Sequence, residues 1–292
     1  MLKCTYIVLL NDNEDNIPHL INSLKKLNGS FKKEFIIIDD GSKDNSLKIA
    51  KSAINDLPKT TIITQTNQGP AISINKATSI ASGDYIHFVQ GDEILHPDST
   101  AIMIDACIKF GTQVACGQIE ETQVEPEYFT QKISLNEKLI IHPLKEILLN
   151  KIPPLRNIGS SGSLVHLSLL EKAGKADNSI YSQTMSLSLR CAKYSNFVFI
   201  NDVLSRKRKS HLPREIKFEA YNNLRSIYNF ASNHPDICAP LTSELIIALG
   251  SESLSTKTKF AYYLQSLKAK YIKPLKLETV LELYKLEFEK LF

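Results

Sequence analysis

Carboxylates stand directly behind two short apolar runs of this sequence. Phe35–Ile38 is followed by Asp39 and Asp40, and Tyr85–Val89 by Gln90, Gly91, Asp92 and Glu93. Two further runs end in polar groups: Tyr6–Leu10 in Asn11 and Asp12, and Thr60–Thr64 in a loop that holds Asn67. Grouped carboxylates support two chemistries. They form an acid/base pair, or they hold a hard cation such as Mg²⁺ or Mn²⁺, which favours oxygen ligands and is usually bound by one or two carboxylates plus substrate phosphates. No G-x-G-x-x-G follows the first run and no G-x-x-x-x-G-K-[ST] occurs, which disfavours a dinucleotide fold and a Walker-type ATPase. A phosphate-bearing ligand would therefore need a metal or basic side chains. No Gly- and Lys/Arg-rich loop follows the first run either, which disfavours a nucleotidyltransferase.

The elements that position these groups alternate. Between the apolar runs, Ile17, Leu20, Ile21, Leu24 and Leu27 recur at helical spacing, Asp44 offers an N-cap for a helix through about Ala53, and Pro70 opens a helix that runs to about Ser82, with Gly83 closing it. A further helix starts near Pro97, and Gln113–Ile119 and Phe197–Ile200 read as strands around a helix over Ser182–Ala192. Strands alternating with helices of this length predict parallel βαβ units, buried on both faces. Ligands of such sheets bind beyond the carboxyl ends of the strands, where Asn11, Asp12, Asp39, Asp40, Asn67, Asp92 and Glu93 gather. From about Pro213 the pattern is helical to the end.

Three segments in order carry a resemblance. Ile36-Ile37-Ile38-Asp39-Asp40-Gly41-Ser42-Lys43-Asp44 resembles the "VVDDGSTD" segment of family 2 glycosyltransferases, which have the GT-A fold. Asn67-Gln68-Gly69-Pro70-Ala71, with Asn75 further on, resembles that family's "NGGxSxARNxG", and Ser82–Glu93, ending at Pro97-Asp98, resembles "GEYIxFLDSDDxxxPD". The resemblance implies an α/β, GT-A-like, mostly parallel nucleotide-binding sheet flanked by helices over 1–212, with a helical C-terminal region over 213–292. It implies an inverting transferase of a sugar from a nucleotide-diphosphate sugar, assisted by Mn²⁺ or Mg²⁺, to a glycan, lipid-linked or lipopolysaccharide acceptor. Asp40 would meet the nucleobase in the pocket lined by Leu9 to Asp12, and Asp92 would coordinate the metal on the donor diphosphate. The nucleotide sugar is thus expected against Leu9, Asn11, Asp12, Asp40, Gly41, Asn67, Gly69, Asn75, Gln90, Gly91 and Arg208, with His211, just after the basic run Arg206–Lys209, a second metal ligand.

Departures from the family pattern bear on activity. The first-strand motif, usually "PTYN", is Leu9-Leu10-Asn11-Asp12; the first acid of "DxD" is Gln90; the usual Arg of the third segment is Ile74. The acceptor-side pair "ED" falls on Gln183 and Thr184, and a Thr hydroxyl is no base near neutral pH. Proton transfer would then fall to Asp177, Glu120, Glu121 or Glu93, with Gln183 kept among the catalytic positions, or the acceptor would already be ionised. The alternative is a non-catalytic sugar-nucleotide-binding or partner protein on a degenerate transferase scaffold. A retaining hydrolase with two flanking carboxylates competes for the acidic clusters. Gly159–Ser163 reads either as a wall of the sugar pocket or as a plain connector.

Composition bounds the rest. The 292 residues are 43% hydrophobic and 23% charged, ordinary for a globular chain. A net charge of +4, from 35 basic and 31 acidic residues, does not argue for nucleic acid. Five scattered cysteines without C-x-x-C spacing, and no apolar run of membrane-spanning or signal-peptide length, suggest reduced thiols and a cytoplasmic protein. Ser253–Leu277 carries six lysines, no acid and interleaved aromatics. It reads as a helix packed with a solvated lysine face, or as a peripheral contact with the inner face of an anionic membrane.

Overall fold

The structure, a computed structural model, describes residues 1–53, 55, 57–122, 129, 133, 139–142 and 158–208, together with 222–223, 225–227, 229–230 and 232–238. The elements run β1 (Lys3–Leu10), α1 (Ile17–Lys25), β2 (Lys32–Asp40), α2 (Ser46–Ala53), β3 (Thr60–Gln65), α3 (Pro70–Ile80), β4 (Tyr85–Gln90), β5 (Glu93–Leu95), α4 (Ser99–Phe110), β6 (Val114–Thr122), β7 (Leu139–His142), β8 (Ser163–His166), α5 (Leu167–Lys172), α6 (Gln183–Ala192) and β9 (Phe197–Arg208). Two compact units emerge, Met1–Pro143 with Pro154–Lys209, and Leu144–Pro153 with Ser210–Phe292. All strands named here belong to the first.

Among the described residues the strands form one sheet in the order β3-β2-β1-β4-β8-β6-β9-β5, with β7 on β9. The first four strands are parallel, as the βαβ pattern predicts. Beyond β4 the sheet is mixed: β8 runs antiparallel to β4 and β6, while β5 and β7 run antiparallel to β9. Burial on both faces explains the solid apolar runs. Tyr6, Val8 and Leu10 pack with Ile17, Leu20 and Leu24 of α1 and Met103 of α4. The alternate residues Ile7, Leu9, Ile36 and Ile38 are equally buried, and since side chains alternate across a strand they face the side that α3 covers. Cys4, Cys107, Cys116 and Cys191 are buried free thiols.

Several boundaries differ from the sequence reading. The third helix stops at Ile80, and Gly83 serves instead where the chain crosses β1: a Cβ there would lie 2.6 Å from Thr5 N. The strand read as Phe197–Ile200 continues to Arg208, so Arg206, Lys207 and Arg208 lie in a paired strand. Its charges face acids on β6: Arg206 Nε lies 2.5 Å from Glu120 Oε2 and Lys207 Nζ 3.1 Å from Glu121 Oε1. Among the described residues no helix is long and apolar enough to cross a membrane. In the second unit Asn222, Ser226, Ile227 and Phe230 are buried, and Pro235–Cys238 is a short helix. His211, most of 213–292 and the stretch 253–277 lie outside the described residues.

One buried acid ties the amino ends of the strands together. Glu34, 5% exposed, accepts hydrogen bonds from Thr5 Oγ1 (2.6 Å), Ser82 N–H (2.8 Å) and Ser82 Oγ (2.7 Å), and Lys59 Nζ lies 2.6 Å away. Burial alone would raise its pKa; donation by Lys59, Thr5 and Ser82 outweighs that and holds it at about 2. The unfolded value is about 4.3, so this stabilisation is complete above that value and is lost as pH falls towards 2. With allowance for screening at the partly exposed Lys59, it is worth about 2 kcal/mol at neutral pH. Glu34→Gln should therefore lose roughly that amount at pH 7, and denaturant titrations should show a smaller stability decline than the parent's between about pH 5 and pH 2. Parallel pH curves for the two proteins would contradict this account.

Candidate functional site

A cavity of about 330 Å³ opens beyond the carboxyl ends of β1, β2 and β4. Leu9, Leu10 and Asn11 reach it from β1, Asp40 from β2, and Asn67, Pro70, Ser73 and Ile74 from the loop and first turns of α3. Gln90, Gly91 and Asp92 reach it from the β4–β5 turn, Gly159 from the loop before β8, and Tyr181, Ser182, Gln183 and Thr184 from the start of α6. Asp40 and Asp92 thus share one cleft.

Asp40 is the fixed point of one side. Its Oδ1 accepts from Gln65 Nε2 and Gln68 N–H, and its Oδ2 from Gly69 N–H, all at 2.8 Å. Asn11 Nδ2 donates to the Asp40 carbonyl at 2.9 Å. These bonds shape the 65–69 loop, which enters α3 through Gly69 at φ +86°, a conformation that strains L side chains. Gly41, at φ +75°, admits the same loop: a Cβ there would lie 2.6 Å from Asn67 N. Asp12 and Asn75 do not line the cavity. Asp12 Oδ1 accepts from Lys43 N–H at 2.7 Å, clamping the loop after β1 to the loop after β2. Asn75 exchanges hydrogen bonds with the backbone of Ala176 at 2.9 and 3.1 Å, tying α3 to the segment before α6.

The β4–β5 turn is held from within. Glu93 is 2% exposed and its Oε2 accepts from Gln90 N–H at 2.8 Å and Ser161 N–H at 3.2 Å. Burial first, and the neighbouring Asp92 second, push its pKa up to about 7. Burial also raises Asp92, against its own backbone N–H and the charge of Lys207. Gln90 Nε2 donates to Gly159 O at 3.1 Å, and of the Gly159–Ser163 stretch Gly159 lines the cavity. Gly91 is required because a Cβ would collide with the Asn13 side chain.

Behind this turn lies a buried chain that the sequence reading did not single out. His87 Nδ1 meets Thr100 Oγ1 and its Nε2 meets Ser161 O, both at 2.9 Å, and Tyr6 OH donates to Thr100 Oγ1 at 2.9 Å. A carbonyl only accepts, which assigns the proton to Nε2 and makes Nδ1 the acceptor of the Thr100 hydroxyl. Burial lowers the His87 pKa to about 4, so the ring is neutral near pH 7. A histidine inside the apolar run Tyr85–Val89 was the available signal.

The positions considered for proton transfer are engaged structurally. Gln183 is 4% exposed; its Oε1 accepts from Asp177 N–H at 2.8 Å, and its Nε2 donates to the carbonyls of Asp177 (2.9 Å) and Ile180. Asp177 lies outside the cavity lining, and its Oδ1 accepts from Ser179 N–H and Oγ at 2.9 and 2.7 Å. Glu120 and Glu121 face Arg206 and Lys207. Arg208 is exposed at the end of β9. Among the described residues, the carboxylates that line the cavity are Asp40 and Asp92, and no three His, Cys, Asp or Glu side chains come together as a metal cage. Asp92 beside the Gln90 amide fits a hard cation held largely by a ligand's own phosphates, not one held by protein alone.

Comparison with known proteins agrees with this geometry. The model of glycosyl transferase family 2 matches residues 4–173, more than half of the chain. An uncharacterized glycosyltransferase, YibD of Escherichia coli (strain K12), is 33% identical over 82 residues, 28% of this chain and 24% of that protein. The chain thus matches only about a quarter of that relative's length. In fold it is similar to residues 1–349 of S. aureus TarS in complex with UDP, with a TM-score of 0.59, 18% identity, and 98% and 92% of the two chains covered. It is also similar to the mannosyltransferase PcManGT of Pyrobaculum calidifontis in complex with GDP-Man and Mn²⁺, with a TM-score of 0.63, 13% identity, and 98% and 83% covered. The chain belongs to glycosyltransferase family 2, and its sheet is the GT-A-like one that the resemblance implied.

Asp40→Asn places an NH₂ group where a carboxylate oxygen accepts a backbone N–H. It should destabilise the fold by about 1–3 kcal/mol, seen as a lower denaturant midpoint, and raise hydrogen exchange at Gln68 and Gly69 more than elsewhere in the sheet. Unchanged exchange at those two amides would contradict the assignment.

Proposed function

We propose that the chain is an inverting glycosyltransferase that uses a nucleotide-diphosphate sugar as donor. The observation that carries this reading is the single cavity shared by Asp40 and Asp92 at the carboxyl ends of β1, β2 and β4. In this reading the nucleoside lies against Leu9, Asn11, Asp40 and Asn67, framed by Asp12, Gly41, Gly69 and Asn75, and the diphosphate lies towards Gln90, Gly91 and Asp92. Arg208, and His211 outside the described residues, complete the proposed phosphate and metal contacts. Mn²⁺ or Mg²⁺ held at Asp92 would neutralise charge on the leaving diphosphate.

In the reaction an acceptor hydroxyl oxygen bonds to the anomeric carbon on the side opposite the diphosphate. The carbon–oxygen bond to the nucleoside diphosphate breaks, and the hydroxyl proton passes to a base. Asp177, Glu93 and Gln183 remain the proposed positions around that step. With Thr184 at the cavity where the family has an acid, the proton acceptor is weak and turnover should favour acceptors of low pKa. A second reading, a sugar-nucleotide-binding protein without transfer, is favoured by one observation: Gln183 is spent on bracing the Asp177–Ile180 turn. The acceptor is proposed to be a glycan or lipid-linked glycan such as lipopolysaccharide, the protein to be cytoplasmic, and the division to fall between 1–212 and 213–292.

Two measurements test this. In a thermal-shift panel of UDP- and GDP-sugars, a donor at a hundred times its Kd should add about 2.7 kcal/mol and raise the melting temperature. Asp92→Asn should lose the part of that rise that depends on Mn²⁺; a variant that responds like the parent overturns the metal assignment. Release of nucleoside diphosphate favours transfer, and binding without release favours the second reading. Separately, flotation with vesicles containing anionic lipid should carry the full chain at low salt through 253–277; no flotation removes the peripheral contact.

A further inference from the structure

We infer that His87, inside β4 and outside the cavity lining, is a positioning residue for the cation and the diphosphate: through the backbone of Ser161 it sets where the β4–β5 turn presents Asp92. This rests on the transferase reading above. Packing alone asks only for an apolar side chain inside the run Tyr85–Val89. An imidazole adds directed bonds, and a fully buried one is costly unless both nitrogens are met.

Both are met, by segments far apart in sequence. Thr100 Oγ1 in the first turn of α4 and Ser161 O in the loop before β8 each lie 2.9 Å from the ring. Tyr6 OH donates to Thr100 Oγ1, which leaves the Thr100 hydroxyl proton for Nδ1 and the Nε2 proton for Ser161 O. All four residues are buried. The ring thus aims one N–H at one carbonyl, in a tautomer fixed from β1 and α4.

Ser161 passes the constraint on. Its N–H donates to Glu93 Oε2 at 3.2 Å, the oxygen that also accepts Gln90 N–H at 2.8 Å. Its hydroxyl donates to Ser205 Oγ at 2.7 Å, and Ser205 pairs with Leu95 of β5. Gln90 and Glu93 bracket Gly91 and Asp92, so the Ser161 peptide is an outside point against which the turn is set. Asp92 is the acid that this turn offers to the cavity, since Glu93 is buried and position 90 is an amide. No second acid of the turn takes up an error in its position. Groups that orient a metal ligand from outside typically carry roughly ten- to a hundredfold in metal affinity.

Full-length His87→Gln keeps an amide N–H near the Nε2 position. His87→Asn is shorter, reaches only the Nδ1 side and loses the bond to Ser161 O. Without nucleotide or metal, backbone hydrogen exchange at Gln90 and Ser161 should rise in His87→Asn and stay near the parent's in His87→Gln. Mn²⁺ is then titrated, by electron paramagnetic resonance, into protein saturated with UDP or with GDP. The half-saturating Mn²⁺ concentration should rise about tenfold in His87→Asn and stay near the parent's in His87→Gln, while thermal stabilisation by the nucleotide alone is retained in both. Thr100→Val, which frees the tautomer, should shift it in the same direction and stands in if His87→Asn does not fold. Parent-like Mn²⁺ binding in His87→Asn (or in its stand-in), equal weakening in His87→Gln, or loss of metal-free nucleotide binding each overturns the assignment and leaves the transferase reading standing. A parent that binds nucleotide but no Mn²⁺ overturns this assignment with the metal one. A parent that neither nucleotide stabilises removes the transferase reading and this one together.

Discussion

A carboxylate taken out of water must be met by donors, and this constraint organises both ends of the sheet. Strand β2 carries an acid near each end. Glu34 meets two hydroxyls, a backbone N–H and a lysine, and thereby joins β1, the approach to β3 and the crossing before β4. Asp40 meets an amide and two backbone N–H groups, and thereby sets the loop that opens α3. Glu93 repeats the device on the neighbouring turn with Gln90 and Ser161. In each case at least one donor comes from a segment distant in sequence, so one buried acid helps fix the relative placement of loops.

The amide replacements follow the same logic in the opposite direction. Gln90 and Gln183 fall where the family resemblance leads one to expect acids, and an amide both donates and accepts. Gln90 uses its donor on the Gly159 carbonyl, and Gln183 uses all of its groups on one turn. A carboxylate at either place could not donate to those carbonyls. Both side chains are neutral, and their hydrogen bonds hold the segments bearing Gly159 and Tyr181.

Much of the parallel half of the sheet was legible because its signals are local. Unbroken apolar runs, helical spacing between them, and Pro70 after a glycine each reflect a few neighbouring residues, and β1 to β4 with α1 to α3 follow from them. The mixed half was not, because β5, β7 and the length of β9 depend on partners far away: Glu93–Leu95 is a strand only because Ser205–Lys207 lies beside it. Gly83 was read as a helix end, whereas its requirement comes from β1, seventy-eight residues earlier at Thr5. The motif positions showed a similar split. Asp40, Asn67 and Asp92 reach the cavity, but Asp12 and Asn75, equally prominent in the pattern, serve loop clamping. Residue type and spacing specify which loops meet; which side chain turns inward is set by the backbone, as with Asp12 at φ +52°.

The two ends of the sheet differ in how well their charges are matched. At the amino end, donors exceed what burial costs, and Glu34 sits at about 2. At the carboxyl end, burial wins: Asp92 is raised and Glu93 stands at about 7, each penalised by desolvation and Glu93 also by the other's charge. Each unmatched charge lowers the stability of the native state. The raised carboxyls sit on the β4–β5 turn, where Asp92 lines the cavity, while Glu34 at the opposite end is held low. The neutral His87–Thr100–Tyr6 chain lies directly behind, and this uncharged, hydrogen-bonded support holds Ser161, and through it the Glu93 turn, without adding a further charge.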